Sequence, residues 1–119
     1  MSKNKFYFYK KCSTCIKAKK YLDNKKIFYE EIDITLQPPS KKEIEIMLEA
    51  YSGDLKKLFN TSGVQYRELK IKDKIKDMTK KQAVDLLSKN GKLVKRPFLL
   101  AGKASFVGFK QEEWQEFFN

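Results

Sequence analysis

Cys12-Ser13-Thr14-Cys15 is the one segment of this sequence whose residue types and spacing carry chemistry by themselves. Two thiols three residues apart span one helical turn, within reach of a disulfide. The thiolate, not the thiol, is the nucleophile, and a helix N-terminus favours it through partial positive charge and unpaired N–H groups. Lys10, Lys11 and Lys17 add positive charge nearby. Cys12 precedes the helix and is read as the nucleophile. Cys15 lies one turn in and is the candidate resolving thiol, or a core residue. The other chemistries are limited by composition. The chain has no His, so Cys/His and Ser/His dyads and His-containing zinc sites are excluded. Two Cys cannot make a four-cysteine zinc site, no other metal site is expected, and the five glycines form no phosphate loop.

The two arginines are the next candidates. Lys fills 24 of the 26 basic positions, so a guanidinium, whose planar fork binds oxyanions bidentately, stands out. Arg96 immediately precedes Pro97, a candidate cis proline at the start of a strand, which would set Arg96 beside the Cys12 loop. Arg67 sits near a Gly-bearing loop, and its functional and surface readings are evenly balanced. The net charge of +11 suits either a nucleic-acid partner or solvated lysine faces. Lysines occur in every segment, which favours the faces and an attraction for acidic partners.

These residues need a scaffold. Phe6–Tyr9 reads as a strand, and Ser13 or Thr14 can cap a helix over about 14–26. Phe28–Ile34 reads as a second strand, giving a right-handed βαβ unit with parallel strands. Ser40 with Glu43 resembles a capping box, opening a helix with Ile44, Met47 and Leu48 on one side. A short helix is expected over Asp54–Phe59, then a loop at 60–63, then a loop or exposed helix over Ile71–Asp77. Thr79 caps a helix with Ala83, Leu86 and Leu87 inward, ended by Asn90-Gly91. Pro97–Leu100 and Ser105–Val107 suit a hairpin, and Gln111–Phe118 a final helix packing Trp114, Phe117 and Phe118. The expected fold is α/β: a mixed four-stranded sheet in the order βαβ … ββα, thioredoxin-like, one domain over 1–119 with a helical insertion at about 40–90. With 119 residues, 41% of them hydrophobic, the chain can build such a core. No apolar run approaches the ~18 residues of a membrane span, and Met1-Ser2-Lys3 does not read as a secretory leader, so a cytoplasmic location is expected.

Cys12 after a first strand, Tyr66-Arg67-Glu68-Leu69, Lys95-Arg96-Pro97 and Val107-Gly108-Phe109 occur in an order that resembles the ArsC/Spx family over essentially the whole chain. The resemblance implies a thioredoxin fold with a helical insertion. From the arsenate reductases of that family it implies Cys12 as nucleophile, Arg96 before a cis Pro97, and Arg67 as a second arginine for an anionic or thiol-containing substrate. No bound cofactor is implied; an external thiol reductant, glutathione with glutaredoxin or a thioredoxin, would complete the cycle. The chain departs from the reductases in having Cys15, in Lys10-Lys11 and Ile16, and in lacking arginine beyond Pro97. The Cys-x-x-Cys pair is shared with the Spx regulators, in which it is a redox switch. That resemblance implies binding to the C-terminal domain of the RNA polymerase α subunit without specific DNA recognition by the protein alone. Tyr66–Leu69 and the Phe117-Phe118-Asn119 ending are closer to the reductase-like branch. An ArsC-like thiol oxidoreductase is therefore expected, with an Spx-like regulator as the alternative.

Overall fold

Alternation along the first strand, β1 (Asn4–Phe8), divides the core in two. Phe6 faces one side and Tyr7 the other, because successive strand side chains point to opposite faces. The computed structural model describes residues 4–118. Met1–Lys3 and Asn119, and with them the leader reading and the final residue of the closing motif, lie outside the described residues.

From β1 the chain enters α1 (Ser13–Asn24) and returns in β2 (Glu30–Asp33), which pairs with β1 in parallel. Strands β3 (Phe98–Ala101) and β4 (Ala104–Val107) form the expected hairpin around a positive-φ Gly102. The sheet order is β2-β1-β3-β4, with β3 antiparallel to both neighbours. Helix α6 (Gln111–Phe118) follows. This is the mixed, thioredoxin-like βαβ … ββα sheet expected.

Between β2 and β3 lie α2 (Lys41–Ala50), α3 (Val64–Glu68), α4 (Ile71–Lys74) and α5 (Lys80–Lys89). They cover one face with Ile44, Met47, Leu48, Ala83, Val84 and Leu87 against Tyr7, Ile32 and Phe98. The other face packs Phe6, Leu99 and Ala101 against Ala18, Tyr21, Leu22 and Trp114 of α1 and α6. Helix α2 starts with a full capping box: the Glu43 N–H donates to Ser40 Oγ, and the Ser40 N–H donates to Glu43 Oε1. Glu43 also accepts from Tyr7 Oη at 2.7 Å and Lys5 Nζ at 3.0 Å, tying this helix to β1. Thr79 and Gln82 repeat the device on α5.

Some expectations change. The short helix expected over Asp54–Phe59 is present as a narrower 3₁₀ turn, Leu55–Leu58. Ile71–Asp77 is helical through Lys74 with a 3₁₀ turn after it, and it is not merely exposed: Ile71 is 1% accessible and belongs to the core. The inward face of α5 uses Val84 where Leu86 was expected; Leu86 is half-buried. Phe117 stays 39% exposed while Trp114 is fully buried. Gly91 is no left-handed helix cap, for Asn90 ends the helix and Gly91 opens a 3₁₀ turn. Its lack of a side chain serves close packing: a Cβ there would stand 1.7 Å from the Ile34 carbonyl oxygen.

Candidate functional site

Helix α1 is capped by the nucleophile candidate itself. Ser13 and Thr14 were the expected caps. Instead Cys12 occupies the N-cap with extended backbone (φ −98°, ψ 115°), and its sulfur accepts the Cys15 N–H at 3.4 Å. The sulfur thus takes the place that a Ser or Asp oxygen usually fills at a helix start. The first turn of α1 holds no acidic residue, so nothing else neutralises the helix terminus. The turn before it is fixed by the Cys12 N–H donating to the Tyr9 carbonyl at 3.0 Å.

Arg96 comes to this turn from the start of the neighbouring strand. Its peptide bond to Pro97 is cis, as anticipated, and Pro97 leads directly into β3, the neighbour of β1. The guanidinium carbon lies 4.8 Å from the centroid of the Tyr9 ring. Burial of the Cys12 sulfur is the largest single influence on it and pushes its pKa up. The Cys15 N–H, the Cys15 thiol, and the hydrogen bond and charge of Arg96 together outweigh burial, and hold Cys12 below the ordinary thiol value. The guanidinium acts on the sulfur, whereas Lys10, Lys11 and Lys17 are exposed and are not among the leading influences.

Cys15 behaves oppositely. It is fully buried, and burial pushes its pKa up to about 12 against a backbone hydrogen bond from Tyr9. The hydrogen bond and negative charge of Cys12 push it further up, and Arg96 pulls the other way. Both cysteines are free thiols. One turn of helix therefore holds an activated, half-buried sulfur and a buried, protonated one.

Beside the thiol turn lies a groove of about 440 Å³, lined by Tyr9, Asn60, Gly63, Val64, Gln65, Glu68, Lys92 and Arg96. It is shaped by a non-local contact in which Phe59 bridges to Val94 and the Asn60 N–H donates to the Leu93 carbonyl at 2.7 Å. Lys92 and Arg96 bring cations to it. Gln65 Oε1 is buried there without a hydrogen-bond partner among the described residues. Cys12, Cys15, Arg96 and Pro97 are thus brought together. Arg67 is not with them: it is exposed on α3, and its neighbours Val64, Gln65 and Glu68 line the groove instead. Tyr9, Asn60, Gln65 and Lys92 were not singled out from the sequence. Asn60 lay in the loop read at 60–63, and no local signal marked the other three.

Comparison with known proteins bears on the family and the fold. A model of the ArsC family matches residues 7–117. YusI of Bacillus subtilis (strain 168), an uncharacterised protein, is 46% identical over 93% of this chain and 94% of its own length. The regulatory protein MgsR of the same organism is 26% identical over 91% of this chain and 84% of its own. The crystal structure of a protein from Streptococcus mutans UA159, described as a possible arsenate reductase, superposes with a TM-score of 0.88 at 39% identity. It covers 97% of this chain and 99% of that one.

Proposed function

The chain belongs to the ArsC family, and on that premise we propose that it is a thiol-dependent reductase, with Cys12 as nucleophile, Cys15 as resolving thiol and Arg96 holding an anionic group of the substrate. One observation carries this reading. The Cys12 sulfur caps α1 and is acidified by the Cys15 N–H and Arg96, while Cys15 is held protonated one turn away.

The steps follow from those two states. The Cys12 thiolate attacks the oxidised centre of the substrate. For a disulfide, a new S–S bond to Cys12 forms, and the departing sulfur leaves with the electron pair of the broken bond and takes a proton. Once Cys12 is in that bond it is no longer a charged acceptor, so two of the influences that hold Cys15 protonated disappear. Cys15 then loses its proton and attacks Cys12 Sγ, closing the Cys12–Cys15 disulfide and releasing the second substrate thiol. Two electrons have passed from the pair to the substrate. An external dithiol, of glutaredoxin or thioredoxin type, or two thiols such as glutathione restore both cysteines by exchange. For an arsenate-like oxyanion the first step instead forms a bond from sulfur to the central atom with loss of water. An external thiol then attacks Cys12 Sγ, and the bond from sulfur to the central atom breaks with its electron pair left on that atom, which departs reduced by two electrons. Cys12 is left in a mixed disulfide that Cys15 or a second external thiol resolves. Arg96 is suited to either substrate, because its fork neutralises an oxyanion bidentately. Lys92 and Asn60 stand beside it in the groove.

The test is reduction of a low-molecular-weight mixed disulfide, and separately of arsenate, coupled to reductant consumption. Wild type should turn over one of them, Cys12→Ser neither, and Cys15→Ser should stall at a covalent adduct seen by mass spectrometry. Full turnover by Cys12→Ser would overturn the assignment. The likeness to the regulatory protein MgsR supports a second reading, a regulator, and the resemblance of the Cys-x-x-Cys pair to that of Spx would make it a redox-sensing one that binds the RNA polymerase α C-terminal domain. A pull-down with that domain distinguishes the two: redox-dependent capture favours the regulator, and no capture in either state removes it.

A further inference from the structure

Arg96 must do two things at this site: stay beside the Cys12 sulfur, and keep its donors free for a substrate anion. A carboxylate partner would hold it but would occupy its N–H groups and cancel its charge. Among the described residues no carboxylate pairs with Arg96. Glu68 lines the same groove without forming an ion pair. What meets the guanidinium is an aromatic ring. Tyr9 lies under it at 4.8 Å from ring centroid to guanidinium carbon, inside the ~6 Å range of a cation–π contact. Such a contact uses the ring face and leaves the guanidinium's five N–H donors for other partners.

Tyr9 is also fixed relative to the thiols. Its carbonyl accepts the Cys12 N–H at 3.0 Å, and it stands one residue beyond β1. Ring, guanidinium and thiol turn are therefore one connected unit. Tyr9 and Arg96 both line the groove beside that turn.

We propose that Tyr9 is a positioning residue: its ring, not its hydroxyl, holds the Arg96 guanidinium against the Cys12 turn while leaving its donors to the Cys12 sulfur and a substrate anion. This rests on Cys12 being the activated nucleophile and deepens that reading by saying what aims the activating group. The titratable groups that act on Arg96 or line the groove with it are the Cys12 thiol, the protonated Cys15 thiol behind it, and Lys92 and Glu68. A ring swap alters none of them directly.

The experiment is the pH profile of iodoacetamide alkylation at Cys12, read by mass spectrometry on reduced protein, for wild type, Tyr9→Phe, Tyr9→Leu and Tyr9→Glu. Phe keeps the ring and should keep the wild-type profile. Leu fills space without the π face, and should slow alkylation near neutral pH by about two- to fivefold, the size of a cation–π contact. Glu would grip Arg96 but quench it, and should slow alkylation at least as much as Leu. Far-UV circular dichroism and continued protection of Cys15 show that each variant is folded. A second measurement needs no variant: in wild type, NMR should place the Arg96 Hδ protons and Nε–H upfield through the Tyr9 ring current.

If Leu matches wild type while wild-type Cys12 is activated, the positioning role is wrong and the nucleophile assignment stands. If wild-type Cys12 itself titrates as an ordinary thiol, the underlying reading fails and this inference goes with it. An unshifted Arg96 side chain would overturn the stacking whatever the variants do.

Discussion

Cys15 should make the protein lose stability on the mildly alkaline side, and the loss can be calculated. Its folded pKa is raised to about 12, above the ordinary ~8.5 of an unfolded thiol. The native state therefore keeps a proton that the unfolded chain gives up. Such a group contributes its full stability below the unfolded value and loses it as pH rises toward the folded one. Between pH 8.5 and 9.5 an unfolded thiol goes from half-ionised to about nine-tenths ionised, which corresponds to roughly 1 kcal/mol of lost stability. That figure needs only a folded value far above pH 9.5. Cys12 runs the opposite way. Its folded pKa is lowered, so its contribution is complete above the unfolded value and is lost as pH falls through the folded one. The assay is urea unfolding with reductant present, at several pH values from 8.0 to 9.5, for wild type and Cys15→Ala. Cys12 keeps the Cys15 N–H and Arg96 in both proteins and loses only the Cys15 thiol, so the difference in slope reports mainly Cys15. The variant will be less stable throughout because it leaves a cavity, but that offset does not depend on pH. The gap between the two proteins should narrow by about 1 kcal/mol from pH 8.5 to 9.5. Parallel curves would refute the raised pKa, and with it the division into one activated and one protonated sulfur.

Arg96→Gln removes the guanidinium that acts on Cys12, and should move the midpoint of its alkylation profile upward, with Arg96→Lys in between; an unmoved midpoint for Gln would show that the helix start alone activates the thiol. Arg67→Ala should leave that profile unchanged, since Arg67 is exposed and outside the groove lining; a shifted profile would bring it back into the site. Gly91→Ala should cost at least the ~1–3 kcal/mol of an overpacked core, because its Cβ would meet the Ile34 carbonyl and only backbone movement could relieve the clash; thermal unfolding close to wild type would contradict that packing. Glu43→Gln should remove the pH dependence that Glu43 gives in acid: its folded pKa is lowered, so its contribution, present above the unfolded carboxylate value, is lost as pH falls through the folded one, and a variant with an identical acid limb would argue against the Tyr7–Glu43–Lys5 contacts.

The parts of this site readable in the sequence are those with local causes. Ser40 with Glu43 announces a helix start by chemistry confined to four residues, and the structure forms both halves of it. Cys12 and Cys15 share a face because a helical turn puts them there. Arg96 next to Pro97 draws attention because one residue restricts the other's backbone. What stayed hidden has non-local causes. Asn60 and Lys92 reach the groove only because the 59–60 segment pairs with 93–94 across more than thirty residues of chain. Gly91 reads as a helix stop by residue type, and only the approach of Ile34 reveals its other use. Tyr9 reads as the last apolar residue of a strand, and nothing nearby in sequence says that an arginine 87 positions later will lie across its ring. The same gap explains Arg67. Its scarcity as an arginine drew notice, but α3 turns Val64, Gln65 and Glu68 toward the groove and leaves Arg67 in solvent. Residue rarity therefore located one of two arginines at the thiol turn. What separates them is placement: β3 lies next to β1 and delivers Arg96 to Cys12, while Arg67 falls on the solvent side of α3, whose other residues reach the groove.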